Sequence, residues 1–285
     1  FMIFSSIFFI PLSICFFTSI FLNFLLVPKL KTFGINKMLL DYQDERKQKK
    51  ENKVRIGGAA CIISFTISVF LSFLFISLVT DYSLEFKKIT LFLSSSILFF
   101  CLGLIDDIKN IPPFPKLFLQ IVFSIFIWIW GLQNHSTILI LNENISLYLP
   151  QIISLLLSIF WIGAITNSIN WLDGLDGLAV GVIAICFVPI VILSFLNSRV
   201  EECILSLGIL GTCISFLRYN FSPSDIIMGD CGSYFFGINL ALLSVNSGIL
   251  ENSFSSNLIR IDFIYPIIIT FLPLMDLLRV IFLRI

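Results

Sequence analysis

Long apolar runs broken by short polar connectors make up most of the chain, at 2–27, 57–79, 89–105, 117–132, 150–166, 178–197, 203–219, 232–250 and 263–283. Crossing about 30 Å of hydrocarbon takes roughly 20 residues at about 1.5 Å of rise each, so each run is long enough, or nearly so, to span a bilayer as a helix. A lone strand in lipid would leave its backbone groups unpaired, which makes helix the expected state. The first run, Met2 to Val27, has no basic segment before it and is too long for the apolar core of a cleaved leader, so it reads as a span. The pattern predicts an all-α, polytopic membrane protein of about nine transmembrane helices, forming one domain over 1–285. The runs between 117 and 166 are the shortest, and their ends are the softest.

Lys and Arg set the expected orientation, because they accumulate on the cytoplasmic side of short loops. With the N-terminus outside, fourteen of the 18 fall on the inner side, nine of them in 28–56, against Lys87, Lys88, Arg199 and Arg260 outside. Alternation of the spans then brings GLIDDIKNIPPFPKL (103–117), NSINWLDGLDGL (167–178) and NFSPSDIIMGDCGS (220–233) to that same inner face. The connectors 28–56, 106–116, 167–177 and 218–233 are therefore expected to form one active face.

Composition narrows the class. Hydrophobic residues make up 58% of the chain and charged ones 13%, far from a soluble domain, and the formal net charge of zero gives no electrostatic footprint for nucleic acid. The 7 cysteines lie mostly within apolar runs, without a CxxC pair, and read as small buried hydrophobes. The lone histidine, His135, falls in a predicted outer connector, away from the acids.

Three acidic groups carry the candidate chemistry. Asp106 and Asp107 end a span just before Pro112, Pro113 and Pro115. A carboxylate at mid-bilayer costs about 2.5–3.5 kcal/mol, so the pair is expected at the membrane edge, where two solvated carboxylates are the plainer reading. Neighbours on a helix point roughly 100° apart, so at most one of the two is expected to aim straight at a shared ligand. Asp173 and Asp176, in DGLDG, would share a face if that segment were helical, and their repulsion would be relieved by a divalent cation or a cationic partner. A glycine-rich connector is the alternative. Asp230, in MGDCGS, precedes the eighth run, where free helix N–H groups attract phosphate and the carboxylate could hold an accompanying metal; N-capping by Asp230 or Ser233 competes with that reading. Together with Asn167, Asn170 and Asn220 these five acids form a hard-oxygen set suited to Mg²⁺ or Mn²⁺.

In order and spacing these segments resemble the polyprenyl-phosphate N-acetylhexosamine-1-phosphate transferases, which include enzymes that initiate enterobacterial antigen and teichoic acid and the one that makes lipid I. The resemblance runs from about residue 34 to the end: Asp41 with Arg46-Lys47 and IGG (56–58), GLIDD with KLFLQ (116–120), NSINWLDGLDGLA, FLRYNFSPSDIIMGDCGS, and PLMD (273–276) with Arg279 and Arg284. It implies transfer of a sugar 1-phosphate from a UDP-N-acetylhexosamine to polyprenyl phosphate, with release of UMP and dependence on Mg²⁺, at the inner membrane of a bacterial-type cell. It further implies Asp230 as metal ligand, Asp106, Asp107, Asp173 and Asp176 as catalytic acids, and Asn167, Asn170, Gly174, Asn220, Lys116 and Asp41 as substrate-binding positions.

The chain departs from the family in three places. Val54 stands where the family has proline, Ile227 stands where an aromatic residue is frequent, and the chain stops at Ile285 before the family's histidine-rich motif. With Phe1 in place of a leading methionine, this gives the expectation of a truncated sequence whose complete form has ten or eleven spans. Lys116 follows Asp107 by nine positions, a short spacing that resembles the N-acetylglucosamine enzymes more than the lipid I enzymes, which remain the alternative. An ion-coupled transporter would want acids near the bilayer midplane rather than at span ends. An intramembrane aspartyl protease and a CDP-alcohol phosphotransferase fail on spacing. The sugar, the polyprenol length, the polymer initiated and the oligomeric state, a homodimer being one option, are not determined by the sequence.

Overall fold

The computed structural model describes residues 6–37, 40–41, 53–132, 138–142, 145–148, 150–247 and 264–284. Its architecture is the expected all-α one. After a short 3₁₀ turn, α1 (Phe9–Asn36) leads through a two-residue strand pair, β1 (Leu40–Asp41) and β2 (Lys53–Val54), into α2 (Gly57–Val79) and α3 (Phe86–Lys109). Then follow α4 (Pro113–Ile127), extended by a π turn over Trp128–Leu132, and a hairpin of β3 (Ile138–Asn142) and β4 (Ile145–Tyr148). The chain continues through α5 (Gln151–Leu172), α6 (Leu178–Leu196), α7 (Val200–Asn220), α8 (Gly229–Ser247), α9 (Ile264–Ile269) and α10 (Phe271–Arg284). Seven helices among the described residues, α1 to α7 with α4 taken through Gly131, are long and apolar enough to cross a membrane. Of the nine predicted runs, seven are spans of this kind, the eighth is the central α8 and the last is broken.

Each difference has a local cause. The first helix runs on to Asn36, drawing residues 28–36 of the supposed loop into regular structure with Pro28 inside it. The connector at 133–149 contains a hairpin because two short runs rich in isoleucine and leucine, two residues apart, pair antiparallel. The ninth run breaks at Thr270, since Pro273 has no N–H for the Ile269 carbonyl.

The eighth helix sits at the centre. Residues 229–246 of α8 are buried, Val245 only partly, against α2, α3, α5, α6 and α7. Enclosure by other helices explains its polar positions: Asn239 pairs with Ser96 of α3, donating at 2.8 Å, and would be costly facing lipid. Gly103 lets α3 approach, since a Cβ there would stand 2.2 Å from the carbonyl oxygen of Asp230. Phe65, Phe92, Phe99, Phe187, Phe216, Phe235 and Phe236 fill the space around α8, while Phe17, Phe70, Phe118, Phe160 and Phe282 project from the outside of the bundle, as a lipid-facing surface requires.

At the end of the bundle where α7 begins, a second polar cluster ties α7 to the α2–α3 connection and to α8. Glu202 is fully buried and pairs with Lys88, with Arg199 at 3.9 Å; Glu201 accepts from the Tyr82 hydroxyl at 3.2 Å. Arg199 also donates to the Asn246 carbonyl.

Candidate active site

The other end of the bundle collects the sequence-predicted acids, and the N-terminus of α8 is the point on which they converge. Gly229 turns the chain into α8 with φ +76°, a left-handed conformation that favours glycine, and a Cβ there would sit 2.2 Å from the Arg55 carbonyl oxygen. The approach to that turn is fixed by backbone pairing. Ile227 N–H donates to the Val54 carbonyl at 2.9 Å, while Gly57 and Gly58 donate to Ile227 and Met228 at 3.0 and 2.8 Å. Val54, in the family's proline position, is buried in this pairing and bridges Ile226 in parallel.

The first N–H groups of α8 are not left for a phosphate. Gly229 donates to Asp173 Oδ2 at 3.1 Å, Asp230 to Asp107 Oδ1 at 2.9 Å and Cys231 to Asp107 Oδ2 at 2.9 Å. Capping is therefore done by carboxylates from α3 and from the α5–α6 turn, instead of by Asp230 or Ser233. That corrects the expectation of a free anion-binding helix end.

Asp230 itself lies between two cations. Its Oδ1 accepts from Arg55 Nη2 at 2.9 Å and its Oδ2 from Lys116 Nζ at 2.7 Å. Arg55 also reaches Asp107 Oδ1 through Nε at 3.1 Å, and Lys116 also pairs with Asp106 Oδ2 while standing 5.0 Å from the centre of the Tyr234 ring. Asp106 and Asp107 thus both join one cluster. Both sit inside the last two turns of α3 and reach it through different partners. Asp106 Oδ1 in addition accepts from Ile111 N–H at 2.8 Å, which fixes the turn between α3 and α4 beside the left-handed Asn110.

Asp173 and Asp176 do not share a helix face, because α5 ends at Leu172 and the DGLDG segment is a turn. Burial, followed by the nearby charges of Asp230 and Asp107, pushes the Asp173 carboxyl well above the usual carboxylate range, against the opposing pull of Gly229 N–H and Arg55. Asp176 lies on the rim and binds Lys53 Nζ at 2.8 Å, Ser224 Oγ at 2.7 Å and Ser224 N–H at 3.1 Å. Burial would raise its carboxyl, but the Lys53 ammonium and the two Ser224 donors outweigh that and hold it below the ordinary value. The cationic partner foreseen for this pair is thus Lys53, which binds Asp176 and also donates to Ser224 Oγ at 2.7 Å.

The asparagines are largely spoken for. Asn167 and Gln120 exchange hydrogen bonds at 2.9 and 3.3 Å, and Asn170 donates to Ser233 Oγ at 3.0 Å. Asn220, buried, accepts from Gly177 N–H at 3.1 Å and donates to the Ile226 carbonyl at 2.9 Å, so it splices the α5–α6 turn to the segment before α8. Gly174 is exposed in an open turn; the backbone demand falls on Gly177, at φ +75°. Asp41 pairs by backbone with Lys53 across β1 and β2, its side chain lying outside the described residues, as do Arg46, Lys47 and His135. Arg55 and Lys53 were missed as site residues; both entered the sequence reading only as charges that set orientation. Their position just before the glycine pair, at a span's edge on the acidic face, was the usable signal.

The donor set can be tested for a divalent cation. Among the described residues no three acidic, thiol or imidazole groups form a ready-made cage. Asp106 and Asp230 nevertheless already converge on one cation, the Lys116 ammonium, and two carboxylates completed by further oxygen ligands suit Mg²⁺. In kind, the residues fit.

Comparison with known proteins gives the family. The model of glycosyl transferase family 4 matches residues 89–248, more than half of the chain, from the first turn of α3 to the end of α8. The chain belongs to glycosyl transferase family 4. Among its family 4 relatives is a probable undecaprenyl-phosphate N-acetylglucosaminyl 1-phosphate transferase of Bacillus subtilis, 28% identical over 94% of this chain and 70% of the relative. A phospho-N-acetylmuramoyl-pentapeptide-transferase of Halalkalibacterium halodurans is 27% identical over 83% of this chain and 74% of its own length. A decaprenyl-phosphate N-acetylglucosaminephosphotransferase of Mycobacterium leprae is 28% identical over 81% of this chain and 61% of its own. The family 4 match covers every acid of the cluster, Asp106, Asp107, Asp173 and Asp230, and Lys116, while Arg55 lies before it.

Proposed function

We propose that this family 4 protein transfers N-acetylglucosamine 1-phosphate from its UDP derivative to a polyprenyl phosphate and releases UMP, the first membrane step of an envelope polysaccharide. A lipid phosphate oxygen attacks the sugar-bearing phosphorus, a new P–O bond forms, and the bond to UMP breaks. Such a reaction brings two anions together, so the protein's task is to position them and neutralise charge. The observation that carries the reading is Asp230 at the α8 N-terminus, held between Arg55 and Lys116 with Asp106 and Asp107 behind them.

Each part has a task in this reading. Arg55 and Lys116 meet phosphate oxygens, Asp106 stands by the attacking phosphate, and Asp107 and Asp173 hold α8 in place. Asn167, Asn170, Gly174 and Asp176 line the side from which the nucleotide arrives, and Asn220 keeps that turn in shape. Asp230, with Asp106, would hold Mg²⁺, or Mn²⁺ in its place. When bound, the ion supplies positive charge to the phosphate oxygens. The excess of Lys and Arg in the connectors at this end supports a site facing the cytoplasm of a bacterial inner membrane.

The nine-position step from Asp107 to Lys116 favours N-acetylglucosamine over the muramoyl-pentapeptide substrate named for other relatives. The test is UMP release from UDP-N-acetylglucosamine by purified protein, expected to require both polyprenyl phosphate and Mg²⁺. A folded protein that releases no UMP from any UDP-N-acetylhexosamine overturns the proposal, and preferential use of UDP-N-acetylmuramoyl-pentapeptide reassigns the sugar.

A further inference from the structure

We propose that Lys116 holds the cation seat between Asp106 and Asp230 while no divalent ion is bound, and gives it up when one arrives, its ammonium then turning to the phosphate-bearing substrate. The inference rests on the metal reading above and adds an exchange step to it.

Asp106 and Asp230 come from different helices and would repel each other with nothing between them. The Lys116 ammonium fills that gap, contacting Asp106 Oδ2 and, at 2.7 Å, Asp230 Oδ2. A divalent ion held by Asp106 and Asp230 would compete with Lys116 for these carboxylates. With both cations on one pair of carboxylates, the attraction would be replaced by repulsion over a few ångströms. One cation has to leave.

Arg55 is the worse candidate for leaving. Its guanidinium is shared between Asp230 Oδ1 and Asp107 Oδ1, and Asp107 is in turn fixed by two backbone donors of α8. Lys116 is held by the two carboxylates and the face of Tyr234, but on a flexible stem rising from the first turn of α4 beside Phe114, which is 87% exposed. Its side chain is 19% exposed, against 30% for Arg55, so anchoring and not exposure decides between them. An ammonium released there lies next to the oxygens that the metal and the substrate phosphates would share. Exchange would couple metal arrival to the presentation of a phosphate-binding cation.

The experiment is a Mn²⁺ titration of the full chain in detergent, followed by electron paramagnetic resonance without substrate. Lys116→Met, which keeps the stem and removes the charge, should bind Mn²⁺ about tenfold more tightly or better than the wild type, because nothing then competes for the two carboxylates. Equal or weaker binding by a folded Lys116→Met protein overturns the exchange while leaving the metal reading intact. If neither protein binds Mn²⁺, the metal reading itself fails, and the exchange with it. Should the variant not fold, acylation of Lys116 in the wild type decides: its labelling, read by mass spectrometry, should rise several-fold on addition of Mg²⁺, and unchanged labelling overturns the proposal.

Discussion

Asp107 of α3 caps the helix that carries Asp230: its two carboxylate oxygens accept the backbone N–H groups of Asp230 and Cys231, both at 2.9 Å. The same carboxylate takes Arg55, which in turn binds the Asp230 side chain. Asp107 therefore orients Asp230 twice, through the backbone and through a shared guanidinium.

Substituting Asp107 separates shape from charge. Asp107→Asn keeps one acceptor for the α8 N–H groups, so stability should fall by only about 1–2 kcal/mol, while loss of the Arg55 partner should cost activity about a hundredfold. Asp107→Ala leaves buried donors unpaired and should melt well below the Asn variant. Thermal unfolding in detergent together with UMP release checks both.

Asp230→Asn should abolish UMP release, by about a thousandfold or more, with little change in melting temperature, because its backbone N–H still reaches Asp107 and its amide oxygen can still accept from Arg55. An Asp230→Asn protein that keeps its activity removes Asp230 from the metal assignment.

Arg55 is bidentate across two elements, a geometry that a lysine cannot reproduce. Arg55→Lys should thus lose about tenfold or more in kcat/KM. A kcat/KM equal to that of the wild type would mean that a point charge suffices there.

Asp176 supplies a pH dependence. Its carboxyl is held below the ordinary value of 3.8 against burial, chiefly by Lys53 and Ser224, so its contribution to stability is present above that value and is lost as the pH falls through the lowered one. The melting temperature of Asp176→Asn should therefore lie below wild type at neutral pH and converge with it as the solution is acidified. A constant gap across that range would assign the effect to hydrogen bonding alone.

The far-end cluster provides a control on folding. Glu202→Ala strips Lys88 and Arg199 of a buried partner and should destabilise by about 3–5 kcal/mol, yet leave kcat per folded molecule unchanged. A specific loss of kcat would mean that this end communicates with the acids at the other.

Hydrophobic run length made the helices legible, because the cost of unpaired backbone in lipid leaves a chain of this composition few other states. The aspartates were legible as well, since a carboxylate at a span's end is expensive to keep without a task. Their relations were not. Asp173 and Asp176 would pair on one face only if their segment were helical, but the helix stops at Leu172, and each carboxylate is claimed by a different segment, α8 for one and Lys53 with Ser224 for the other.

Sequence by itself determined the class of fold, the family resemblance and the identity of the acids, because those follow from local composition and from the order of short motifs. Only the tertiary structure decided which groups face one another. Arg55 counted as a topological charge until the pairing of Val54 with Ile227 brought it over Asp230, and the N-terminus of α8 read as open until Asp107 and Asp173 closed it. The reason is that hydrogen bonds and ion pairs act over about 3 Å, whereas Asp107 and Asp230 are 123 positions apart in the chain, a separation that no local pattern encodes.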